Sequence, residues 1–159
     1  MVFIVTVLVV IIALSFFIKK DKNLFGFEHL FLWLLIIFVF TTLFDIGTHH
    51  RLISFTKNIK ENTYYALRLT EAIILPLMII IYIDWMNADR TLLQKLVVSF
   101  SIILFLLGLE WVFMEWLQVY YFEKWNIGRS VLFWLSILAF FLLCQKTFRA
   151  WLIKGRYAS

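Results

Sequence analysis

A chain of 159 residues that is 64% hydrophobic and 19% aromatic, with mean hydropathy +0.93, is too apolar for a soluble domain, where about half the residues are apolar. Its apolar residues come in long unbroken runs, which assigns them to lipid or to the space between membrane helices. The 15 Lys and Arg against 10 Asp and Glu then read as helix-end charge facing a cytoplasm and anionic lipid, with no nucleic-acid partner expected.

Five membrane-spanning helices are expected, at about 2–18, 27–46, 64–85, 92–116 and 130–143, in an all-α polytopic bundle that makes one integral membrane domain over 1–159. The first run ends in Lys19-Lys20-Asp21-Lys22. A secretory signal carries its positive charge before the apolar run, so this one reads as a retained helix. The second run ends in Asp45, Gly47, His49, His50 and Arg51. A connection over 54–62 follows, with Ile53, Phe55 and Ile59 able to lie on the membrane surface.

The third run carries Arg68 and Glu71 near its start, the only proline (Pro76) in its middle, and Asp84-Trp85 at its end. Ionised groups are costly in a bilayer, so this helix should turn Arg68 and Glu71 toward other helices. Proline also removes the donor for the carbonyl of Ala72. Thr91 and Gln94 fit a capping box that opens the fourth run, which holds Gly108, Glu110, Trp111 and Glu115. An aromatic connection over 118–127 leads to the fifth run. Beyond it, Gln145 to Ser159 mixes Lys and Arg with Phe148 and Trp151, as expected of a helix end settling among headgroups. The single cysteine, Cys144, sits in an apolar run and cannot close an intramolecular disulfide.

Five crossings with the N-terminus outside place nine Lys and Arg on cytoplasmic segments, against six (Arg51, Lys57, Lys60, Arg68, Lys124 and Arg129) outside. The positive-inside rule therefore favours N-out and C-in in the cell membrane. In that topology Asp45 and His49, Arg68 and Glu71, and Glu110 and Glu115 all fall in the outer half. Arg68 and Glu71 are spaced i,i+3 for an ion pair, and Asp45 and His49 i,i+4 for one face. Glu110 should point inward and Glu115 toward the headgroups.

Three readings of this convergence follow. In the first, Arg68, Glu71 and Glu110 form a structural network that fixes helix packing. In the second, Arg68, Glu71, Glu110 and Asp45 line a pocket for an ion, proton or small polar ligand. In the third, Asp45, His49, Glu71 and Glu110 hold a metal such as zinc or manganese and activate water; no HExxH pattern accompanies them. Trp111, Trp116, Tyr120, Tyr121 and Trp125 are expected in an outer aromatic belt, and Tyr82, Trp85 and Trp151 in an inner one.

The order of Glu71, Pro76 and Tyr82 in the middle helix, with Glu110-Trp111 and the aromatic, lysine-containing 120–125 connection, resembles a family of small, uncharacterised, roughly five-helix membrane proteins from spore-forming Firmicutes. The likeness covers the second to fifth helices and implies topology; it implies no activity, and His49 and His50 depart from it. The expectation for function is a non-enzymatic membrane protein acting through a membrane-protein partner, as an assembly subunit or as a homo-oligomer. The alternatives are a small carrier or ligand-binding protein using the outer polar cluster, and a metal-dependent intramembrane enzyme. No catalytic set and no cofactor are expected.

Overall fold

Helix α3 (Glu61–Asn87) is the element against which the other helices pack. A computed structural model describes residues 2–19, 24, 26–50, 53–56, 59–122 and 126–157. Around α3 stand α1 (Val2–Lys19), α2 (Gly26–His49), α4 (Leu92–Trp116) and α5 (Ile127–Tyr157), each in contact with it. The most apolar stretch of α3 is 61% buried, against 17–28% for α2, α4 and α5. This explains why α3 carries polar residues through an apolar environment: most of its surface meets protein.

The fold is all-α. Four helices, α2, α3, α4 and residues Ile127–Lys154 of α5, are long and apolar enough to cross a membrane, while the apolar part of α1, Val2–Ser15, is shorter. These four fit a multi-pass membrane protein. Helix α1 lies along α3 with only Val10 fully buried and with Ile4, Leu8 and Ile12 turned outward.

The core follows from helical spacing. Leu32, Ile36 and Phe40 recur every four residues on α2 and meet Ile79, Ile80 and Ile83 of α3, Ile102 and Leu106 of α4, and Leu138 and Phe141 of α5. The opposite faces are equally apolar but exposed, as at Leu30, Leu34 and Phe38 on α2 and Leu96, Phe100 and Leu104 on α4. A helix apolar all round is one that faces both protein and lipid.

Two helices widen locally. In α3 a π-turn spans Thr70–Ile74, with the Leu75 N–H donating to the Thr70 carbonyl. Pro76 follows at once; it has no N–H to give and its ring crowds the preceding turn. The expected consequence of Pro76 was a bare carbonyl at Ala72, and the observed one is an inserted residue that rotates Glu71 within the turn. In α4 the π-turn Val112–Trp116 ends where the Leu117 N–H donates to the Val112 carbonyl at 2.8 Å. The Thr91–Gln94 capping box is present at the start of α4.

The connections after α2 and after α4 do not lie apart. Strand β1 (Ile53–Phe55) pairs antiparallel with β2 (Tyr120–Phe122), with Ser54 opposite Tyr121. The pairing extends through the Thr56 N–H to the Val119 carbonyl at 3.1 Å, and the Val119 N–H in turn reaches Phe113 at 2.9 Å. Beneath this ribbon α2 continues through Gly47 to His49. A Cβ on Gly47 would fall 2.6 Å from Ile53 Cδ1, so glycine lets the ribbon sit directly on the helix.

The last helix also exceeds its expected bounds, running unbroken over Ile127–Tyr157 where a span of 130–143 followed by an interfacial tail was expected. Gln145 and Arg149 sit inside the bundle instead of among headgroups, because buried partners await them there. Lys20, Lys22, Arg51, Lys57, Lys124 and Trp125, used in the charge and belt arguments, lie outside the described residues.

Candidate functional site

Polar side chains gather in two layers, one at each end of the bundle. At one end lies a cavity of about 210 Å³ beneath the β1–β2 ribbon, walled by α2, α3, α4 and α5. Six aromatic side chains line it (Phe40, Phe44, Phe113, Tyr120, Phe133 and Trp134), and Ile53 and Tyr120 come from the ribbon itself. Both Glu71 and Glu110 line it too, brought together by the π-turn of α3 and the last α-turn of α4.

The two carboxyl groups are held differently. Glu110 accepts on both oxygens, from the Ser130 hydroxyl on Oε1 and from Trp134 Nε1–H on Oε2 at 2.9 Å. Both donors are neutral and both lie on α5, so these bonds tie α4 to α5. Glu71 Oε2 accepts from Arg68 Nη1 at 3.0 Å. Its other oxygen, Oε1, is buried and takes no hydrogen bond from any described residue. Arg68 is 41% exposed in its side chain and is steadied by the Tyr64 hydroxyl at 3.0 Å and by stacking over the Tyr64 ring. It therefore stands outside the cavity and grips one oxygen of Glu71 from there. Burial, and then the nearby Glu110 and Glu71, push the Tyr120 phenol above its ordinary range, so it remains a neutral hydroxyl at the cavity wall.

The structure separates the remaining candidates from this site. Asp45 is exposed, and its backbone carbonyl accepts from the Thr48 hydroxyl. His49 is exposed beside His50, their rings 5.4 Å apart. The two do share a helical face through Gly47, but that face looks away from Glu71 and Glu110. Among the described residues no three His, Cys, Asp or Glu side chains come together to hold a metal, so the four-residue metal site is not formed. Glu115 is exposed, as expected. Tyr120 and Tyr82, expected in aromatic belts, are both buried; Tyr120 is claimed by the cavity, and Tyr82 shares a 3.4 Å contact with the Ser99 hydroxyl.

At the opposite end is a second layer that the sequence did not suggest. Arg149 of α5 makes two bonds to Glu28 of α2, Nε to Oε1 at 2.7 Å and Nη2 to Oε2 at 2.8 Å. Gln145 adds a third, Nε2 to Glu28 Oε1 at 2.9 Å, and receives one from Asn87 Nδ2 at 3.2 Å. Asp84 accepts from the Leu24 N–H at 3.1 Å. Glu28 and Gln145 are fully buried. This clasp joins α2, α3 and α5, and its carboxylate and guanidinium satisfy one another in the bidentate geometry suited to burial. One signal for it was present: Glu28 stands just inside the second apolar run, and Gln145 and Arg149 are i,i+4 on one helical face.

Comparison with protein-family models, curated proteins and solved structures finds no match to this chain, so a functional reading rests on its own geometry.

Proposed function

We propose that this chain is a non-enzymatic integral membrane protein that binds a small, largely apolar molecule in the Glu71–Glu110 cavity. The observation that carries this reading is Glu71 Oε1, a buried carboxyl oxygen without a partner among the described residues, on a residue that lines an aromatic cavity. A network built for packing closes its polar atoms on one another, as the Glu28–Arg149 clasp does, and buried polar atoms without partners are rare enough to call for an explanation. With α1 crossing as a fifth span and the N-terminus outside, the cavity opens toward the outer side of the cell membrane and the clasp lies toward the cytoplasm.

The experiment is native mass spectrometry of the protein purified from its own membrane in mild detergent. A bound small molecule that is displaced when Leu75, on the cavity wall, is changed to Trp supports the reading. A second reading, a subunit acting through a membrane-protein partner, draws on the exposed apolar face of α4 at Leu96, Phe100 and Leu104, which suits a neighbouring helix as well as lipid. A stoichiometric protein partner together with a cavity that accepts no millimolar benzyl alcohol would replace the first reading by the second.

A further inference from the structure

The walls and charges of the cavity say more about what fits it. Its volume is about 210 Å³, and an apolar cavity of about 150 Å³ holds benzene, so by proportion an occupant of about eight non-hydrogen atoms fills this one. Six aromatic side chains line the space. Ring faces carry negative potential and attract cations, which is how aromatic cages select ammonium groups.

The carboxyl groups act in the same direction. Two of them line the cavity, and among the described residues one guanidinium, Arg68, is in contact with either, engaging Glu71 from the rim. Glu110 receives only the neutral donors Ser130 and Trp134, and among the described residues no Lys or Arg pairs with it. An anionic ligand would meet two carboxyl groups, and a metal ion lacks a third ligand among the described residues. One oxygen of these lining carboxyl groups, Glu71 Oε1, is buried and has no hydrogen-bond partner among the described residues.

Resting on the binding reading above, we propose that the cavity takes a compact lipophilic ammonium, an aromatic or branched apolar body ending in a protonated amine that donates to Glu71 Oε1. The apolar body fills the space between Phe40, Phe113 and Trp134, and the ammonium replaces its lost water with one charge-assisted bond and the surrounding ring faces. Arg68 is then a positioning residue. By holding Oε2 at 3.0 Å it leaves Oε1 as the carboxyl oxygen to which the amine would donate.

The test compares three probes of nearly one size, benzylamine, benzyl alcohol and benzoate, on the whole protein in lipid nanodiscs, with empty nanodiscs as blank. Saturation-transfer NMR and the shift in melting temperature report binding. Benzylamine is expected to bind tighter than benzyl alcohol by on the order of tenfold to a hundredfold, the range of one charged hydrogen bond, with benzoate weakest. Glu71→Gln keeps the shape and should abolish most of that preference while benzyl alcohol binding persists. Equal binding of benzylamine and benzyl alcohol would overturn the ammonium proposal and leave the cavity as an apolar site. Failure of all three probes to bind the unaltered protein would remove the binding reading itself. If Glu71→Gln does not fold, Arg68→Gln takes its place; it should reduce the amine preference without removing it, and an unchanged preference there would count against the proposal.

Discussion

Removing either partner of the Glu28–Arg149 clasp should cost more than removing both. Glu28 is wholly buried and Arg149 is 25% exposed in its side chain. Loss of one partner from a buried ion pair costs about 3–5 kcal/mol, because the survivor keeps its burial and loses its compensation. In Glu28→Leu, Arg149 keeps its 3.4 Å contact with Asn87 and can still reach water, placing the cost near 3 kcal/mol, and the Gln145 amide, which loses its acceptor, adds about 1 kcal/mol. In Arg149→Leu the group left behind is the wholly buried carboxylate, which keeps the 2.9 Å bond from Gln145 but loses its guanidinium, so the cost moves to about 5 kcal/mol. The double variant replaces the charges by apolar volume and should fall below either single change, to about 1–2 kcal/mol. Reversible SDS unfolding in mixed micelles, read by far-UV circular dichroism, gives all three values and a coupling term. Additive costs, or single variants each within about 1 kcal/mol of the parent, would refute the argument and mean that water already screens the clasp.

Three smaller changes probe other joints of the fold by the same unfolding assay. Trp134→Phe removes the indole N–H that reaches Glu110 at 2.9 Å and should destabilise by about 1–2 kcal/mol; a cost near zero would mean that the bond does not tie α4 to α5. Gly47→Val drives new atoms into Ile53, whose Cδ1 lies 2.6 Å from a Cβ at that position. It should cost about 1–3 kcal/mol, with faster hydrogen exchange at the Thr56 amide as the ribbon lifts. Thr91→Ala deletes the hydroxyl half of the capping box on α4, the acceptor for the Gln94 N–H, and should cost about 1 kcal/mol, with no change in exchange at Thr56.

The bundle was legible because its signal is repetitive: runs of about 20 apolar residues state a helix and its surroundings together. The central position of α3 was legible too, since Arg68, Glu71 and Asp84 require more protein around them than a lipid-facing helix has. Alternating helix direction places Glu71 and Glu110 at a similar depth, but that they line one cavity was not legible. What escaped was pairing between distant segments. Nothing local in 53–55 or 120–122 announces that these residues form one ribbon, and Tyr120 looks like any interfacial tyrosine until that ribbon draws it inward. Arg149 had the same ambiguity. A cationic residue near the end of an apolar run reads as a headgroup anchor, and only the position of Glu28, more than a hundred residues earlier in the chain, turns it into half of an ion pair. The π-turn at Thr70–Ile74 was half legible: Pro76 announced a disturbed turn, but whether the helix kinks or inserts a residue depends on what packs beside it.

The spacing of the two polar layers bears on how an amine would reach the cavity. Ser130 and Arg149, one in each layer, stand about 28 Å apart on α5 by helix rise, close to the ~30 Å thickness of the hydrocarbon core. A bundle that spans the core therefore sets Glu28–Arg149 near one edge and the Glu71–Glu110 cavity near the other, where ionised groups cost least. A compact lipophilic amine collects at that same depth, with its ammonium among headgroups and its apolar body below them. It would meet the cavity from the side of Arg68 and the ribbon, the two features that separate Glu71 from the surface. Access and selectivity would then depend on different groups: the β1–β2 ribbon over the cavity governs entry, and Glu71 Oε1 governs which entrant stays. Loosening the ribbon by Thr56→Pro, which removes the N–H that reaches the Val119 carbonyl at 3.1 Å at a position outside the cavity lining, should therefore raise the association and dissociation rates of benzylamine together and leave the ratio of amine to alcohol affinity unchanged, whereas Glu71→Gln should change the ratio. If Thr56→Pro altered the ratio instead, the ribbon and the carboxyl would be acting as one device.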